Sequence, residues 1–371
     1  MKPPLIHWVF SLARPYNFSA GPAALPESVL LRAREELLDW NGGGTSVMEI
    51  SHRGKAFIEL AAQSERNLRA LMDIPDNYRV LFLQGGATQH FAQIPMNFAR
   101  PDQTADYIVC GAWGEKAVSE ARPNVQARVA GSSVNANFTG VPRRDSWQLD
   151  SAAAYVHITP NETIHGVAMH EIPVVGDVPL IADISSNILS GPLDVSRFGL
   201  LYAGAQKNIG ASGLVVMIVR DDLLGRCPST LPRIFNYAEH AANDSMLNTP
   251  NTFGWYLASL VFQWIAGQGG VAELGHRNQA KAQLLYEAID ESGFYANPVD
   301  RAARSLMNVV FTLSDSRLEP AFLCKSQDAG LLALKGHKAL GGFRASLYNA
   351  MPLEGVQALV EFMREFERRH G

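Results

Sequence analysis

The chain has 371 residues, of which 47% are hydrophobic and 18% are charged, and its formal net charge is −4. This length exceeds what one compact core usually accommodates, so we expect a soluble protein with two domains. The sequence contains no long basic run and no basic–aromatic interleaving, which argues against nucleic acid as a partner. Its three cysteines, Cys110, Cys227 and Cys324, are far apart, which argues against a disulfide framework and favours a cytoplasmic protein.

The first fifteen residues differ from the rest of the chain. Residues 5–13 are apolar and follow Lys2, but His7 and Ser11 interrupt this run, which is too short to span a membrane. No other window approaches transmembrane length, so we expect no membrane interaction. We predict that residues 1–15 are a disordered extension.

Helical and strand-like patterns alternate from residue 27 onwards. Apolar residues at helical spacing predict helices over residues 27–40, 57–72, from near 88, 115–121, 253–265 and 271–292. Short apolar runs predict strands over residues 79–83, 105–110, 154–159, 180–183, 200–203 and 214–219. This alternation is typical of an α/β fold with a mainly parallel sheet that is covered on both faces.

The C-terminal part has a different pattern, and glycines at 267, 269 and 270 precede it. It predicts a strand over 307–313, a helix over 320–331, a glycine-rich strand pair within 335–348 and a closing helix over 353–368. We therefore predict a large domain over residues 16–266 and a smaller α/β domain over 267–371. The N-terminal segment 16–30 is expected to pack on the smaller domain.

Polar residues follow several of the predicted strands. Ligands bind beyond the carboxyl ends of the strands in open α/β sheets. One strand leads into a Gly85-Gly86 turn and the N-terminus of a helix, which suits a phosphate group. Other strands lead to Thr163, Asp183 and Lys207. Each residue alone is weak evidence, but all of them are predicted to lie on the same rim of the sheet.

A lysine and an aspartate beside a phosphate-binding turn suggest pyridoxal phosphate. This cofactor needs a lysine amine for covalent attachment, an anion at its pyridinium nitrogen and donors for its phosphate. Trp113 follows the strand predicted over 105–110 and is placed to stack on the cofactor ring. Taken alone, Trp113 would more simply be a core residue.

Several segments, in order, resemble the phosphoserine aminotransferase family, a branch of the class V, fold-type I pyridoxal-phosphate enzymes. The resemblance covers residues 16–371 and rests on the following matching segments: 17–22 (NFSAGP), 44–49 (GTSVME), 51–54 (SHRG), 160–163 (PNET), 203–210 (AGAQKNIG), 335–338 (KGHK) and 348–352 (YNAMP).

This resemblance implies a role for each matching residue. Lys207 would carry the cofactor, Asp183 would pair with its pyridine nitrogen, and Trp113 would stack on its ring. The other cofactor contacts would come from Gly86, Ala87, Thr88, Thr163, Gln206, Asn248 and Thr249. Because Asn248 and Thr249 would reach over from a second subunit, the resemblance also implies a homodimer with shared active sites.

The substrate contacts implied by the resemblance are all cationic, and no metal is expected. Arg344 would bind the substrate α-carboxylate, a task for which the planar guanidinium is well shaped. A second anion at the far end of the substrate would be recognised by His52, Arg53, His337 and Lys338. Some family members carry an arginine where this chain has Thr88 or Lys338, so phosphate recognition is expected to differ in detail.

The reaction implied by the resemblance transfers the amino group of glutamate to 3-phosphooxypyruvate, which yields phosphoserine and 2-oxoglutarate. A phosphorylated threonine derivative in pyridoxine synthesis would be a second substrate. The alternative is a cysteine desulfurase-like or kynureninase-like lyase on the same fold, which would not need the second-anion pocket. Such a desulfurase needs a mobile nucleophilic cysteine, whereas Cys324 falls in a predicted helix and is interpreted as a packing residue. A non-enzymatic cofactor-binding protein would not need Lys207, Asp183 and Arg344 together.

Overall fold

The computed structural model describes residues 14–371, so all but the last two residues of the predicted N-terminal extension lie outside the described part. The α-helices are α1 (Glu27–Glu35), α2 (Lys55–Met72), α3 (Ala87–Phe98), α4 (Ala112–Ala121), α5 (Tyr237–Ala242), α6 (Thr252–Gly267), α7 (Gly270–Asp290), α8 (Glu319–Asp328) and α9 (Leu353–His370). The strands are β1 (Tyr16–Asn17), β2 (Tyr78–Gly85), β3 (Thr104–Val109), β4 (Gln126–Ser132), β5 (Val156–Ile158), β6 (Asn161–Glu162), β7 (Val167–Ala168), β8 (Leu180–Asp183), β9 (Leu200–Gly204), β10 (Gly213–Arg220), β11 (Tyr295–Ala296), β12 (Asn308–Leu313), β13 (Leu331–Leu332) and β14 (Phe343–Ser346).

The centre of the fold is a seven-stranded sheet with the order β2-β10-β9-β8-β5-β3-β4. Strand β10 pairs antiparallel with both of its neighbours, and the other pairings are parallel. The predicted mainly parallel sheet is therefore confirmed. Of the seven strands, β10 alone runs in the opposite direction. The carboxyl ends of β2, β3, β5, β8 and β9 therefore all lie along one rim of the sheet.

Alternating side chains of the sheet supply two separate apolar layers. On β9, Leu201 and Ala203 belong to a cluster that includes residues of α2 and α6. The intervening Leu200 and Tyr202 belong to a second cluster with residues of α3 and α4. Every residue of β9 is buried, since helices cover both faces of the sheet. This packing explains why the central strands are continuous apolar runs in the sequence.

A further apolar core lies around the C-terminal strands and helices α7, α8 and α9. Phe18 is fully buried in this core, and β1 pairs in parallel with β13. Helix α7 contributes Leu274 to the first core and Leu285 to this one. The boundary at residue 266 therefore stays a prediction.

Three of the predicted elements are wrong in extent. The helix predicted over 320–331 ends at Asp328, and Leu331 pairs with Tyr16 as part of β13. The helix predicted over 27–40 ends at Glu35; beyond it Leu38 is 81% exposed, and Trp40 is buried from a short 3-10 turn. The glycine-rich strand pair within 335–348 is reduced to β14 and a single bridge between Lys335 and Phe343. Positive φ angles at Gly341 and Gly342 turn the backbone out of an extended strand.

The sequence patterns did not predict β4, which forms one edge of the central sheet. Only two of its seven residues are buried, so it lacks the apolar run that identifies the inner strands. The short hairpin of β6 and β7 was also missed, and it turns out to carry part of the site. Within residues 14–371, no helix is long and apolar enough to cross a membrane.

Candidate active site

Residues from three separate elements converge at the rim of the sheet. Lys207 follows β9, and its Nζ donates a hydrogen bond to Thr163 Oγ1 at 2.8 Å. Thr163 lies in the turn of the β6–β7 hairpin. Its carbonyl oxygen accepts a hydrogen bond from Arg344 Nη1, on β14, at 3.3 Å. Residues that are far apart in the sequence thus form one connected group.

The amine of Lys207 is in an environment that favours its neutral form. Burial lowers the pKa of Lys207 to about 8, because the ammonium loses its hydration. The carboxylates of Asp183 and Glu162 oppose this shift, and the guanidinium of Arg344 adds to it. Near neutral pH, an appreciable fraction of Lys207 is therefore unprotonated and able to act as a nucleophile or base.

Asp183, the last residue of β8, is only 5% exposed. Its Oδ1 accepts hydrogen bonds from the backbone N–H of Ser185 at 2.9 Å and from the Ser185 hydroxyl at 2.5 Å. The same hydroxyl accepts a bond from the Gly204 N–H, which links β8 to β9. Burial raises the pKa of Asp183, and the nearby Lys207 opposes that change. The carboxyl group is thus held firmly beside the lysine.

Trp113 stands near the N-terminus of α4 with its ring toward the lysine. Lys207 Nζ lies 5.6 Å from the centre of this ring. The indole Nε1 is buried and has no hydrogen-bond partner among residues 14–371. We call the gap between Lys207 Nζ and the face of the Trp113 ring the slot; a flat aromatic ligand stacks favourably on an indole face.

The N-terminus of α3 provides donors for an anion. Gly86 precedes the helix, and Ala87 and Thr88 are its first two residues. The first N–H groups of a helix have no acceptor inside the helix, so they are free to bind a phosphate. Gln206 adjoins Lys207, and its carbonyl oxygen accepts a bond from the Ala23 N–H at 2.8 Å.

The predicted second-anion residues are only partly brought to this site. His337 lies close to Arg344: burial, Arg344 and Lys338 all lower the pKa of His337. Lys338 is exposed. Arg53 is also exposed, and His52 Nε2 is buried without a partner within the described chain. No hydrogen bond between described residues connects His52 or Arg53 to Lys207.

Asn248 and Thr249 lie elsewhere on the same chain. The Thr249 carbonyl oxygen accepts a hydrogen bond from Gln84 of β2. Asn248 borders a cavity of about 130 Å³ that His90 and His240 also line. Among residues 14–371, no hydrogen bond joins either residue to Lys207, so their predicted role at a neighbouring subunit's site stays a prediction.

Sequence reasoning missed two residues, Glu162 and His165, both in the β6–β7 hairpin. Glu162 is fully buried and accepts hydrogen bonds from the N–H groups of Trp113 and Gly114. His165 Nδ1 accepts a bond from the Ala112 N–H at 3.3 Å. This segment was predicted to carry only Thr163. The signal for Glu162 is its position, because a charged residue stands there at the end of a buried strand.

The interpretation of Cys324 as a packing residue is wrong. It lies in α8 as predicted, but it is exposed, and its Sγ points to Asp328 on the same helix. A cysteine within a regular helix is not the mobile nucleophile of a desulfurase-like enzyme. Among residues 14–371, no three metal-binding side chains cluster.

The chain belongs to the class-V aminotransferase family, whose profile matches residues 15–359. It is 57% identical to a phosphoserine aminotransferase of Stenotrophomonas maltophilia over 361 residues, which cover 97% of this chain and 100% of that protein. It is 56% identical to a phosphoserine aminotransferase of Pseudomonas aeruginosa, with 96% and 99% of the two chains covered. The family expected from the sequence motifs is thus confirmed.

Solved structures support the same relationship. The phosphoserine aminotransferase from Bacillus circulans subsp. alkalophilus superposes with a TM-score of 0.95 at 47% identity, and covers 96% of this chain and 99% of its own. The structure of PLP-bound phosphoserine aminotransferase from Trichomonas vaginalis gives a TM-score of 0.91 at 40% identity, with 95% and 100% covered. The expected fold-type I architecture is therefore confirmed as well.

Proposed function

We propose that this chain is a pyridoxal-phosphate-dependent phosphoserine aminotransferase. It transfers the amino group of L-glutamate to 3-phosphooxypyruvate, and the products are O-phospho-L-serine and 2-oxoglutarate. The observation that carries this proposal is the grouping of Lys207, Asp183 and Arg344 at one rim of the sheet, within a chain that aligns over its length with phosphoserine aminotransferases. A lyase for neutral side chains would have no use for the cationic residues near Arg344.

The residues at the rim fit pyridoxal phosphate. The amine of Lys207 is positioned for covalent attachment, Asp183 for the pyridine nitrogen and Trp113 for the ring face. The phosphate would be held by the start of α3 and by Gln206, with Asn248 and Thr249 of a second subunit. When bound, this cofactor withdraws electrons from the substrate Cα and so makes its C–H bond acidic.

Each residue then has a defined task in the transfer. Arg344 binds the substrate α-carboxylate with two parallel hydrogen bonds and so orients the Cα. The neutral Lys207 Nζ takes the proton from this carbon, holds it as an ammonium and then gives it up again, which requires the lowered pKa. Asp183 keeps a negative charge beside the ring nitrogen. Both substrates carry a distal anion, so a single cationic pocket of His52, Arg53, His337 and Lys338 serves both.

The assembly and the location of the protein belong to the same proposal. The chain forms a homodimer in which each subunit completes its neighbour's site, and the enzyme works in the cytoplasm, with serine biosynthesis as its pathway. Its three cysteines are unpaired, as is usual in a reducing compartment. A phosphorylated threonine derivative of pyridoxine synthesis is a second substrate, since it shares the α-amino acid and the distal phosphate.

The first test is a half-reaction measured by cofactor absorbance. The purified protein, loaded with pyridoxal phosphate, is mixed separately with phosphoserine, glutamate, alanine and cysteine. We expect phosphoserine and glutamate to convert the cofactor, while alanine and cysteine leave it unchanged. Lys207→Ala should not form the covalent cofactor complex at all.

The matched control is Lys116→Ala. Lys116 Nζ also lies 5.6 Å from the centre of the Trp113 ring, but this lysine belongs to α4 and has no proposed task. The control should therefore react like the unmodified protein. If only cysteine reacts, the protein is a lyase and not an aminotransferase. If the protein never binds the cofactor, the proposal is refuted.

A further inference from the structure

The N-terminus of α4 is closed by side chains, in contrast to the open N-terminus of α3. The two carboxylate oxygens of Glu162 accept separate hydrogen bonds: Oε2 from the Trp113 N–H at 3.0 Å and Oε1 from the Gly114 N–H at 2.7 Å. The Ala112 N–H donates to His165 Nδ1. Both acceptors belong to the β6–β7 hairpin, which also carries Thr163.

We infer that Glu162 is a positioning residue, which holds the Trp113 end of α4 at a set distance from Lys207 and thereby orients the indole for the cofactor ring. This inference rests on the cofactor assignment made above. The physical link is short: Glu162 binds the backbone of Trp113, and the next residue, Thr163, binds Lys207 Nζ. Neighbouring residues of one turn thus contact both sides of the slot.

Gly111 gives independent evidence that the position of this carboxylate matters. A Cβ atom at Gly111 would lie only 2.5 Å from Glu162 Cδ and 2.6 Å from its Oε2. The φ angle of Gly111 is 173°, an extended conformation that any residue adopts. Space for the Glu162 carboxyl group, and not backbone conformation, therefore explains the glycine at the start of this helix.

The surroundings of Glu162 act on its charge in opposite directions. Burial raises the pKa of Glu162 to about 7, while the N–H groups of Gly114 and Trp113 lower it. Asp183 raises this pKa and Lys207 lowers it. The positive end of the α4 dipole further stabilises the anion. Glu162 thus also contributes to the field at Lys207, although it does not contact the amine.

The test uses two variants that displace the carboxylate contact in different ways. Glu162→Gln keeps the length of the side chain, but its amide has one oxygen, so one of the two N–H groups meets an NH₂ donor. Gly111→Ala keeps the glutamate and pushes its carboxyl group aside. Asp106→Asn is the control: Asp106 is also fully buried and accepts a bond from the Asp150 N–H, but it lies on β3 away from the slot.

Three quantities are measured on the full-length protein: the Kd for pyridoxal phosphate, the circular dichroism of the bound cofactor and the thermal midpoint. We expect both test variants to weaken cofactor binding on the order of tenfold. Both should also reduce the dichroic signal of the cofactor, which reports its asymmetric stacking. Asp106→Asn should lower the thermal midpoint and leave both cofactor readouts unchanged.

The inference is overturned if Glu162→Gln and Gly111→Ala lower only the thermal midpoint, as the control does, because Glu162 would then be a helix cap and nothing more. If Glu162→Gln does not fold, Gly111→Ala decides by the same two cofactor readouts. Failure of the unmodified protein to bind pyridoxal phosphate would refute the proposed function itself, and that outcome is distinguishable from unchanged binding by the variants.

Discussion

In the proposed reaction Lys207 attaches the cofactor and also moves a proton, and both tasks require a neutral amine. An exposed lysine is almost wholly protonated at neutral pH. Here burial removes the hydration of the ammonium, while Asp183 is close enough to prevent a larger drop of the pKa. The value of about 8 is a balance between these two effects. It leaves the amine usable near neutral pH and still able to hold a proton.

This balance predicts the pH dependence of cofactor uptake by the cofactor-free protein. The rate should rise roughly tenfold per pH unit below the pKa of Lys207 and level off above about pH 8, because only the neutral amine attacks. Stopped-flow absorbance after mixing with pyridoxal phosphate measures this rate. Nα-acetyl-lysine, whose side-chain amine is free, is the control under the same conditions. If the rate of the protein keeps rising with that of the free amine up to pH 10, burial does not activate Lys207.

Helix α7 connects the C-terminal strands to the lysine segment through a buried amine. Lys281 is 2% exposed, and its Nζ donates to the carbonyl oxygens of Leu347, Tyr348 and Met351 at 2.8–2.9 Å. These carbonyls follow β14, the strand of Arg344. One residue of the same segment, Asn349, donates its N–H to the side chain of Asn208, next to Lys207. The helix thereby fixes the strand of Arg344 relative to the lysine.

Replacing this amine should destabilise the protein. Lys281→Met keeps an unbranched side chain but leaves the carbonyl oxygens of Leu347 and Met351 without a donor, whereas that of Tyr348 keeps the Met351 N–H. We therefore expect a loss of about 2 kcal/mol or more in the free energy of unfolding. Urea unfolding of the cofactor-loaded protein measures this loss.

Lys325→Met on the exposed face of α8 is the matched control, since the amine of this lysine hydrogen-bonds only His370 and lies 5.7 Å from the centre of the Phe366 ring, with no buried carbonyl as a partner. Equal unfolding curves for the two variants would show that the three carbonyl contacts contribute no net stability.

At the scale of the whole molecule, the second-anion residues suggest an assembly. Arg53 and Lys338 are exposed. Apolar side chains on either side of His52 and Arg53 in the sequence are exposed as well: Leu38 (81%), Met48 (53%) and Ile58 (47%). A contiguous patch of exposed apolar groups is typical of a protein interface. We therefore propose that this segment belongs to the interface of the homodimer, in which one subunit completes the site of the other.

The shared site predicts that two inactive variants restore activity when mixed. In a dimer of Lys207→Ala with Asn248→Ala, one site combines an intact lysine with an intact asparagine. Subunits mixed under exchanging conditions should recover about a quarter of the activity of the unmodified enzyme, since half of the dimers are mixed and each has one working site.

Each variant alone, subjected to the same exchange, is the control and should stay inactive or nearly so. If Asn248 acted within its own subunit, both sites of the mixed dimer would be defective and no activity would return.

The sequence by itself determined the inner strands of a mainly parallel sheet and the polar residues at their ends, whereas the order of the strands in the sheet came from the structure. The inner strands are continuous apolar runs because helices cover both faces, and this signal is local. Lys207, Asp183 and Trp113 could be recognised because each follows such a strand. The edge strand β4 could not be found this way, since most of its residues are not fully buried.

Only the tertiary structure decided what depends on contacts between distant segments. The role of Glu162 lies in its bonds to α4, and its neighbour Thr163 bridges Lys207 and Arg344, which are far apart in the sequence. The lowered pKa of Lys207 is a property of burial, and no sequence spacing encodes burial of a lysine. Sequence patterns record which face of an element is apolar, whereas the site depends on which elements that packing brings together.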